Sequence, residues 1–335
     1  IAAQHGLGYK EDRFQQTPHC AETMKTNKSV LITFVILVSI AGCLGIPIHS
    51  RAGASKFNTI VAFGDSTCDN GNGTYTYLNH TYPPSPPYYN GRYSNGPVWV
   101  EYLSDLLNSA LYDYAWGGAT SDNAYVTGVS GFNYTTVVAS VIDQITKIYG
   151  PKALQNVDFD KILFVISYQG NDYFDNPKAD PQVVVSNLSR AWSLLASYGA
   201  KHILTNTFYD ISLIPYSRAL PAADQSALKA ISAAHNAALA TAADNWNKQG
   251  NGAKVSLFPL GEVLAALQQP QTAAQLGITD VTNPCITHPP GDTNTINIVC
   301  KDPSKFFFWD SFHPSTKVYQ RLSFTLYDFV TYRIH

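Results

Sequence analysis

From Thr59 onward the chain alternates short, almost unbroken apolar runs with longer stretches whose apolar residues recur every three or four positions. Thr59 to Phe63, Leu111 to Ala115, Ile162 to Ser167, His202 to Asn206 and Ala253 to Phe258 are of the first kind. Runs of this length, rich in β-branched residues and apolar at nearly every position, read as strands covered on both faces. Val98 to Leu107, Val137 to Tyr149, Gln182 to Tyr198, Ala219 to Gln249 and Ser315 to Tyr332 are of the second kind, with Gly or Pro near several ends, and read as helices. Strand then helix, repeated five times, predicts an α/β fold: a single three-layer domain with a five-stranded parallel sheet and helices on both faces. Two segments break the rhythm. Cys68 to Pro97 is dense in Tyr, Asn, Gly and Pro, and Gln269 to Lys305 has loop composition. Long ordered loops in a compact domain are commonly functional.

The beginning of the chain reads differently. Its one methionine, Met24, is followed by Lys25, Lys28 and an apolar run from Val30 to Leu44, the layout of a secretory signal peptide. That run is too short for a comfortable membrane span. We therefore expect 1–23 to be an upstream extension, 24–45 the signal peptide with cleavage as late as 54, and 55–335 the folded domain. Ile40-Ala41-Gly42-Cys43 also fits a bacterial lipoprotein site, which would leave a lipid anchor on Cys43. Three cysteines survive processing. Cys285 and Cys300 flank a Pro-, Gly-, Thr- and Asn-rich stretch, and a disulfide closing it would remove chain entropy worth about 3 kcal/mol. Cys68 is then a small buried apolar residue. Asn72, Asn79, Asn133 and Asn187 each begin an Asn-x-Ser/Thr glycan acceptor, which fits a secreted protein.

Charge narrows the partners. Charged residues make up 14% of the chain, against about 25% in an average soluble domain, and the formal net charge is −2. No basic stripe exists to follow phosphates, which argues against nucleic acid. With 45% hydrophobic residues the chain can bury a large core, and we expect a monomer without a stable membrane span.

The chemistry gathers where the strands end. After the first comes Gly64-Asp65-Ser66-Thr67-Cys68-Asp69, after the second Trp116-Gly117-Gly118, after the third Gln169-Gly170-Asn171-Asp172, and near the end of the chain Asp310-Ser311-Phe312-His313-Pro314. In parallel sheets, sites form at the carboxyl ends of strands. A serine hydroxyl needs a base, and imidazole, with an ordinary pKa of about 6.5, serves near neutral pH. His313 can take the proton of Ser66, with Asp310 three residues earlier turning back to fix the imidazole tautomer. Backbone N–H groups of Ser66 and Gly118, with the side-chain amide of Asn171, would receive the negative oxygen of a tetrahedral intermediate. Asp69 is expected to hold the Ser66 turn by accepting backbone N–H bonds, supported by Asp65. A metal site on Asp65, Asp69, Asp310 and His313 would lack paired His or Cys ligands, and neither metal nor other cofactor is expected. His202, His235 and His288 carry no comparable surroundings.

These four patterns, in this order, resemble the four motif blocks of the GDSL family of the SGNH hydrolases, which are serine esterases and lipases. The resemblance implies a flavodoxin-like SGNH hydrolase fold, Ser66 as nucleophile, Asp310 and His313 as its partners, and Gly118 and Asn171 completing the oxyanion hole. It extends to secreted fungal members through Tyr89-Asn90-Gly91-Arg92-Tyr93-Ser94-Asn95-Gly96 and Trp99-Val100-Glu101-Tyr102-Leu103, and spans roughly Thr59 to Tyr332. Two departures stand out: Thr67 replaces the usual leucine after the nucleophile, and Gly170 meets Asn171 with no residue between. The resemblance and the aromatic loop point to a secreted esterase removing acetyl groups from plant cell-wall sugars, with Tyr89, Arg92 and Trp116 as candidate substrate contacts. Arg92 pairing with a carboxylate is the plainer alternative. The rivals are a lipase or lysophospholipase of the same family, which would need a hydrophobic trough, and a catalytically silent wall-binding protein.

Overall fold

The structure, a computed structural model, describes residues 55–287, 295–298 and 300–334. The expected signal segment and Cys43 lie outside the described residues. Five strands form one parallel sheet: β1 (Thr59–Gly64), β2 (Ala110–Asp113), β3 (Ile162–Ser167), β4 (His202–Asn206) and β5 (Lys254–Phe258). Their order is β2-β1-β3-β4-β5, the flavodoxin-like arrangement, whose switch point lies between β1 and β3.

The side-chain alternation of β1 shows why these segments are strands. Ile60 and Ala62 face one core, with Leu163 and Val165 of β3; Val61 and Phe63 face the other, with Phe164 and Ile166. These two strands thus feed both cores, which explains sequence runs without a polar face. The first core is closed by α1 (Trp99–Leu107), α5 (Leu260–Leu267) and α6 (Thr316–Arg333), and the second chiefly by α3 (Pro181–Ser197) and α4 (Ala222–Gln249). Trp192 on α3 is fully buried and donates its indole N–H to Thr205 Oγ1 at 2.9 Å, so even this bulky residue leaves no orphan donor.

Three boundaries differ from the sequence reading. The helix expected from Val137 to Tyr149, α2, begins at Val141, where Ser140 caps it through the Asp143 N–H; Val137 instead pairs with Val129 in a small hairpin. Beyond Asp143 the helix widens into a π-helical stretch, Gln144–Tyr149, while the Gln144 amide bonds both backbone groups of Gly64. The fourth helix starts at Ala222 rather than Ala219, directly after Pro221. The loop expected from Gln269 to Lys305 carries structure: a helix at Pro270–Gln275 and β6 (Asp280–Pro284), which pairs in parallel with β7 (Phe306–Phe308). Cys285 and Cys300 are joined as a disulfide beside this pair, and Cys68 is buried. Among the described residues no helix is long and apolar enough to cross a membrane.

Candidate active site

The first strand sets the site in motion. At Gly64 φ is +154°, and a Cβ there would lie 1.9 Å from the Ser167 carbonyl oxygen, so only glycine lets β1 leave the sheet against β3. The turn that follows is built by Asp65. Its buried carboxylate accepts the Thr67 N–H at 3.0 Å, the Thr67 hydroxyl at 2.8 Å and the Gln169 N–H. Threonine at position 67 therefore has a task that leucine could not perform.

That turn presents Ser66 Oγ 2.7 Å from His313 Nε2, across 247 positions of sequence. His313 Nδ1 lies 2.8 Å from both oxygens of Asp310. Asp310 Oδ1 also accepts the backbone N–H groups of Phe312 (2.8 Å) and His313 (2.7 Å), which is how Asp-x-x-His closes on itself. Burial alone would raise the Asp310 carboxyl, but the adjacent imidazole, those N–H groups and the Tyr88 hydroxyl outweigh it and hold the group below the ordinary carboxylate range.

Donors for a negative oxygen stand nearby. Ser66, Gly118 and Asn171 line one cavity. Gly118 adopts φ +87°, and a Cβ there would meet the Val129 carbonyl oxygen at 2.2 Å. The glycine is thus required by the backbone behind it. Asn171 opens a short helix, Asn171–Asp175, and donates one Nδ2 hydrogen to the Ala119 carbonyl at 2.8 Å, which orients its amide and leaves a second N–H.

Two buried carboxylates tie the three loops together. Asp69 accepts N–H bonds from Gly71, Gly73, Thr74 and, at 2.9 Å, Gly117, beside the Gly118 donor. Burial pushes its carboxyl up to about 6 despite these four donors. Asp172, next to Asn171, accepts the Ser121 N–H, the Ser121 hydroxyl and the Tyr168 hydroxyl, joining the third loop to the second.

Other sequence candidates lie elsewhere. None of Tyr89, Arg92 and Trp116 lines the cavity. Arg92 is held by Glu101 at 2.6 Å, with Tyr89 beneath its guanidinium, and Trp116 packs on Tyr77. Aromatic or cationic character, the sequence signal at all three, does not reveal direction. Asn72, Asn79 and Asn133 are exposed. Asn187 is 9% exposed, and its Nδ2 donates to Ser121 Oγ at 3.1 Å, so this acceptor is a structural amide in the Asp172 network. Tyr88 and Asp172 were missed as site residues. Asp172 stood in the quoted third block and Tyr88 in the tyrosine-rich loop, but neither spacing reveals a partner distant in sequence.

The GDSL-like Lipase/Acylhydrolase family model matches residues 60–323. The chain is 31% identical over 255 residues to the phosphatidylcholine-sterol acyltransferase of Aeromonas hydrophila, covering 74% of this chain and 71% of that one. It spans 62% and 64% of the length of two further bacterial relatives. It is 36% identical over 105 residues to the acetylesterase of Hypocrea jecorina, 28% of this chain and 30% of that one. The carbohydrate acetylesterase Est24 from Sinorhizobium meliloti superposes with a TM-score of 0.44 at 14% identity, covering 82% of this chain and 98% of that one. With a Gly-Asp-Ser turn, a paired Asp and His, and a family match over most of its length, the chain belongs to the GDSL-like lipase/acylhydrolases and is a carboxylic ester hydrolase.

Proposed function

We propose that the protein is a secreted serine esterase that cleaves its ester through an acyl-enzyme on Ser66, and that it acts on esters with an extended apolar acyl group. The observation that carries the mechanism is the unbroken line Asp310–His313–Ser66, at 2.8 and 2.7 Å. Ser66 Oγ attacks the ester carbonyl carbon while its proton passes to His313 Nε2. The carbonyl oxygen gathers charge against the Ser66 and Gly118 N–H groups and the Asn171 amide. As the tetrahedral intermediate collapses, the bond to the alcohol breaks and His313 returns the proton to the leaving oxygen. Water then repeats the attack on the acyl-enzyme, and the acid departs as Ser66 recovers its proton.

The substrate reading rests on the cavity. It has a volume of about 560 Å³, and Phe174, Ile211, Ile214, Leu264, Phe308 and Phe312 contribute to its wall. This is the hydrophobic trough that a lipase or lysophospholipase requires and that an acetyl group would leave mostly unfilled. Asp65, Asp175 and Asp310 line it and, among the described residues, no Lys or Arg does, which favours esters without a negative charge near the scissile bond. The relative named for phosphatidylcholine supports the same direction. Acetyl esters of cell-wall sugars remain the second reading, favoured by the segment similar to the Hypocrea acetylesterase. Secretion rests on the Lys-then-apolar leader after Met24.

Nitrophenyl esters from acetate to octanoate separate the two substrates. Each methylene that enters an apolar pocket is worth about 0.8 kcal/mol, or about fourfold in kcat/KM. We expect kcat/KM to climb with chain length; a maximum at acetate and collapse by octanoate would leave the acetyl reading. Ser66→Ala should abolish hydrolysis with the fold intact. Unchanged turnover would remove the proposed nucleophile, and no hydrolysis by the wild type would leave the silent wall-binding protein.

A further inference from the structure

Of the Tyr89–Gly96 motif, Tyr93 lines the cavity; with Tyr88 the motif forms a strap across the loop that carries Asp310 and His313. Four contacts run from this one segment. Tyr88 donates its hydroxyl to Asp310 Oδ2 at 2.8 Å, and the Tyr93 ring lies against the His313 ring with centroids 5.2 Å apart. Ser94 Oγ donates to the Pro314 carbonyl at 3.0 Å, and Asn95 Oδ1 accepts the Thr316 N–H at 2.9 Å. The strap is itself pinned: Arg92 grips Glu101 through two N–H groups and the Asn90 carbonyl through a third.

We propose that Tyr88 is a positioning residue of the ester hydrolysis, whose hydroxyl fixes the Asp310 carboxylate and limits how strongly that carboxylate holds a proton on His313. The proposal rests on the Ser66–His313–Asp310 reading. Asp310 Oδ1 already has two backbone donors, whereas the hydroxyl of Tyr88 is the donor on Oδ2 from outside the Asp310–His313 turn. A carboxylate that shares its charge with a hydroxyl draws less strongly on the neighbouring imidazolium. Without that hydroxyl, more of the charge is directed at His313 Nδ1. The imidazolium then persists to higher pH, and the base form needed for attack becomes scarcer in the acid range. One fixed point on the carboxyl is also lost, so the imidazole is less firmly aimed at Ser66.

The groups facing the pair leave this hydroxyl few competitors. Asp65 approaches from the nucleophile turn, Tyr82 and Tyr93 from the long loop, Tyr134 from the hairpin and Tyr319 from α6. None carries a positive charge. Of these tyrosines only Tyr88 bonds the carboxylate, and it is 6% exposed, so water does not readily take its place.

The test is Tyr88→Phe in the full chain, which removes one oxygen and keeps the ring. The kcat/KM of a nitrophenyl ester is measured from pH 4.5 to 9, with kcat and KM resolved at the plateau. We expect kcat to fall about tenfold with KM within twofold, and the acidic limb to move up by about half a pH unit. Ser94→Ala loosens the same strap without touching a titrating group, and should lower kcat while leaving the limb in place. A Tyr88→Phe profile superimposable on the wild type, or lower at all pH values alike, would overturn the proposal and reduce Tyr88 to packing. Proton NMR of the His313 Nδ1 hydrogen gives an independent readout: a shifted resonance supports the proposal and an unmoved one counts against it. Neither result disturbs the esterase reading, which stands or falls with Ser66→Ala.

Discussion

Asp69 offers the sharpest test of how the loops hold one another, because asparagine keeps its shape and removes half of its accepting capacity. Oδ1 accepts Gly71 N–H at 2.8 Å and Gly73 N–H at 3.3 Å; Oδ2 accepts Thr74 N–H at 3.1 Å and Gly117 N–H at 2.9 Å. In Asp69→Asn the remaining oxygen can serve only one of these pairs. With Gly71 and Gly73 kept, the NH₂ group faces Thr74 and Gly117, and two buried N–H groups lose their acceptor at about 1–3 kcal/mol each. A relief opposes this. The carboxyl sits at about 6 rather than 3.8, so at neutral pH keeping it ionised costs about 3 kcal/mol, from 1.36 kcal/mol per unit. The variant should therefore lose modest stability near pH 7.5, at most about 3 kcal/mol.

The pH dependence has a definite sign. A carboxyl whose folded pKa lies above its unfolded one contributes stability that is fully present below about 3.8 and lost as pH rises through about 6. Asparagine has no such titration. The Tm of the wild type minus that of Asp69→Asn should thus be larger at pH 4.5 than at pH 7.5, measured by calorimetry. Rate should suffer more than stability: with Gly117 released, Gly118 loses its fixed place, and kcat should drop about 10²-fold, as for deletion of one oxyanion donor. A Tm gap that widens with rising pH, or a kcat within threefold of wild type, would refute the reasoning.

Other outcomes follow from the same geometry. Asn171→Ala should lower kcat about 10²-fold, and a loss below threefold would place its amide away from the reacting oxygen. Reducing the Cys285–Cys300 bond, which closes a separation of 15 residues, should add two hydrogen atoms in intact mass and cost about 3 kcal/mol in denaturant unfolding; no mass change would exclude the bond. Glycopeptide mapping after expression in a eukaryotic host should find Asn187 bare, since its amide is buried in hydrogen bonds; a glycan there would contradict the Asp172–Ser121–Asn187 network.

The sheet was legible because burial on both faces leaves an unmistakable mark: β1 and β3 are apolar at nearly every position, and both appear within a residue of where the pattern put them. The helix start at Val137 was not. Its apolar spacing continues backward into the hairpin, and only the Ser140 cap decides where helical bonding begins. The strand at Asp280–Pro284 was hidden for another reason. It is polar and half-exposed, and it is a strand because Phe306–Phe308 lies beside it.

By itself the sequence determined the layer order of the fold and named the candidate reacting groups, since a hydroxyl, an imidazole and a carboxylate in motif context are chemically distinct wherever they lie. Direction belonged to the tertiary structure. Whether Arg92 touches substrate or Glu101, whether Asn187 meets solvent or Ser121, and which of many tyrosines reaches Asp310 depend on contacts between residues as much as 222 positions apart. Such contacts are fixed by packing many elements at once, and local spacing carries no record of them.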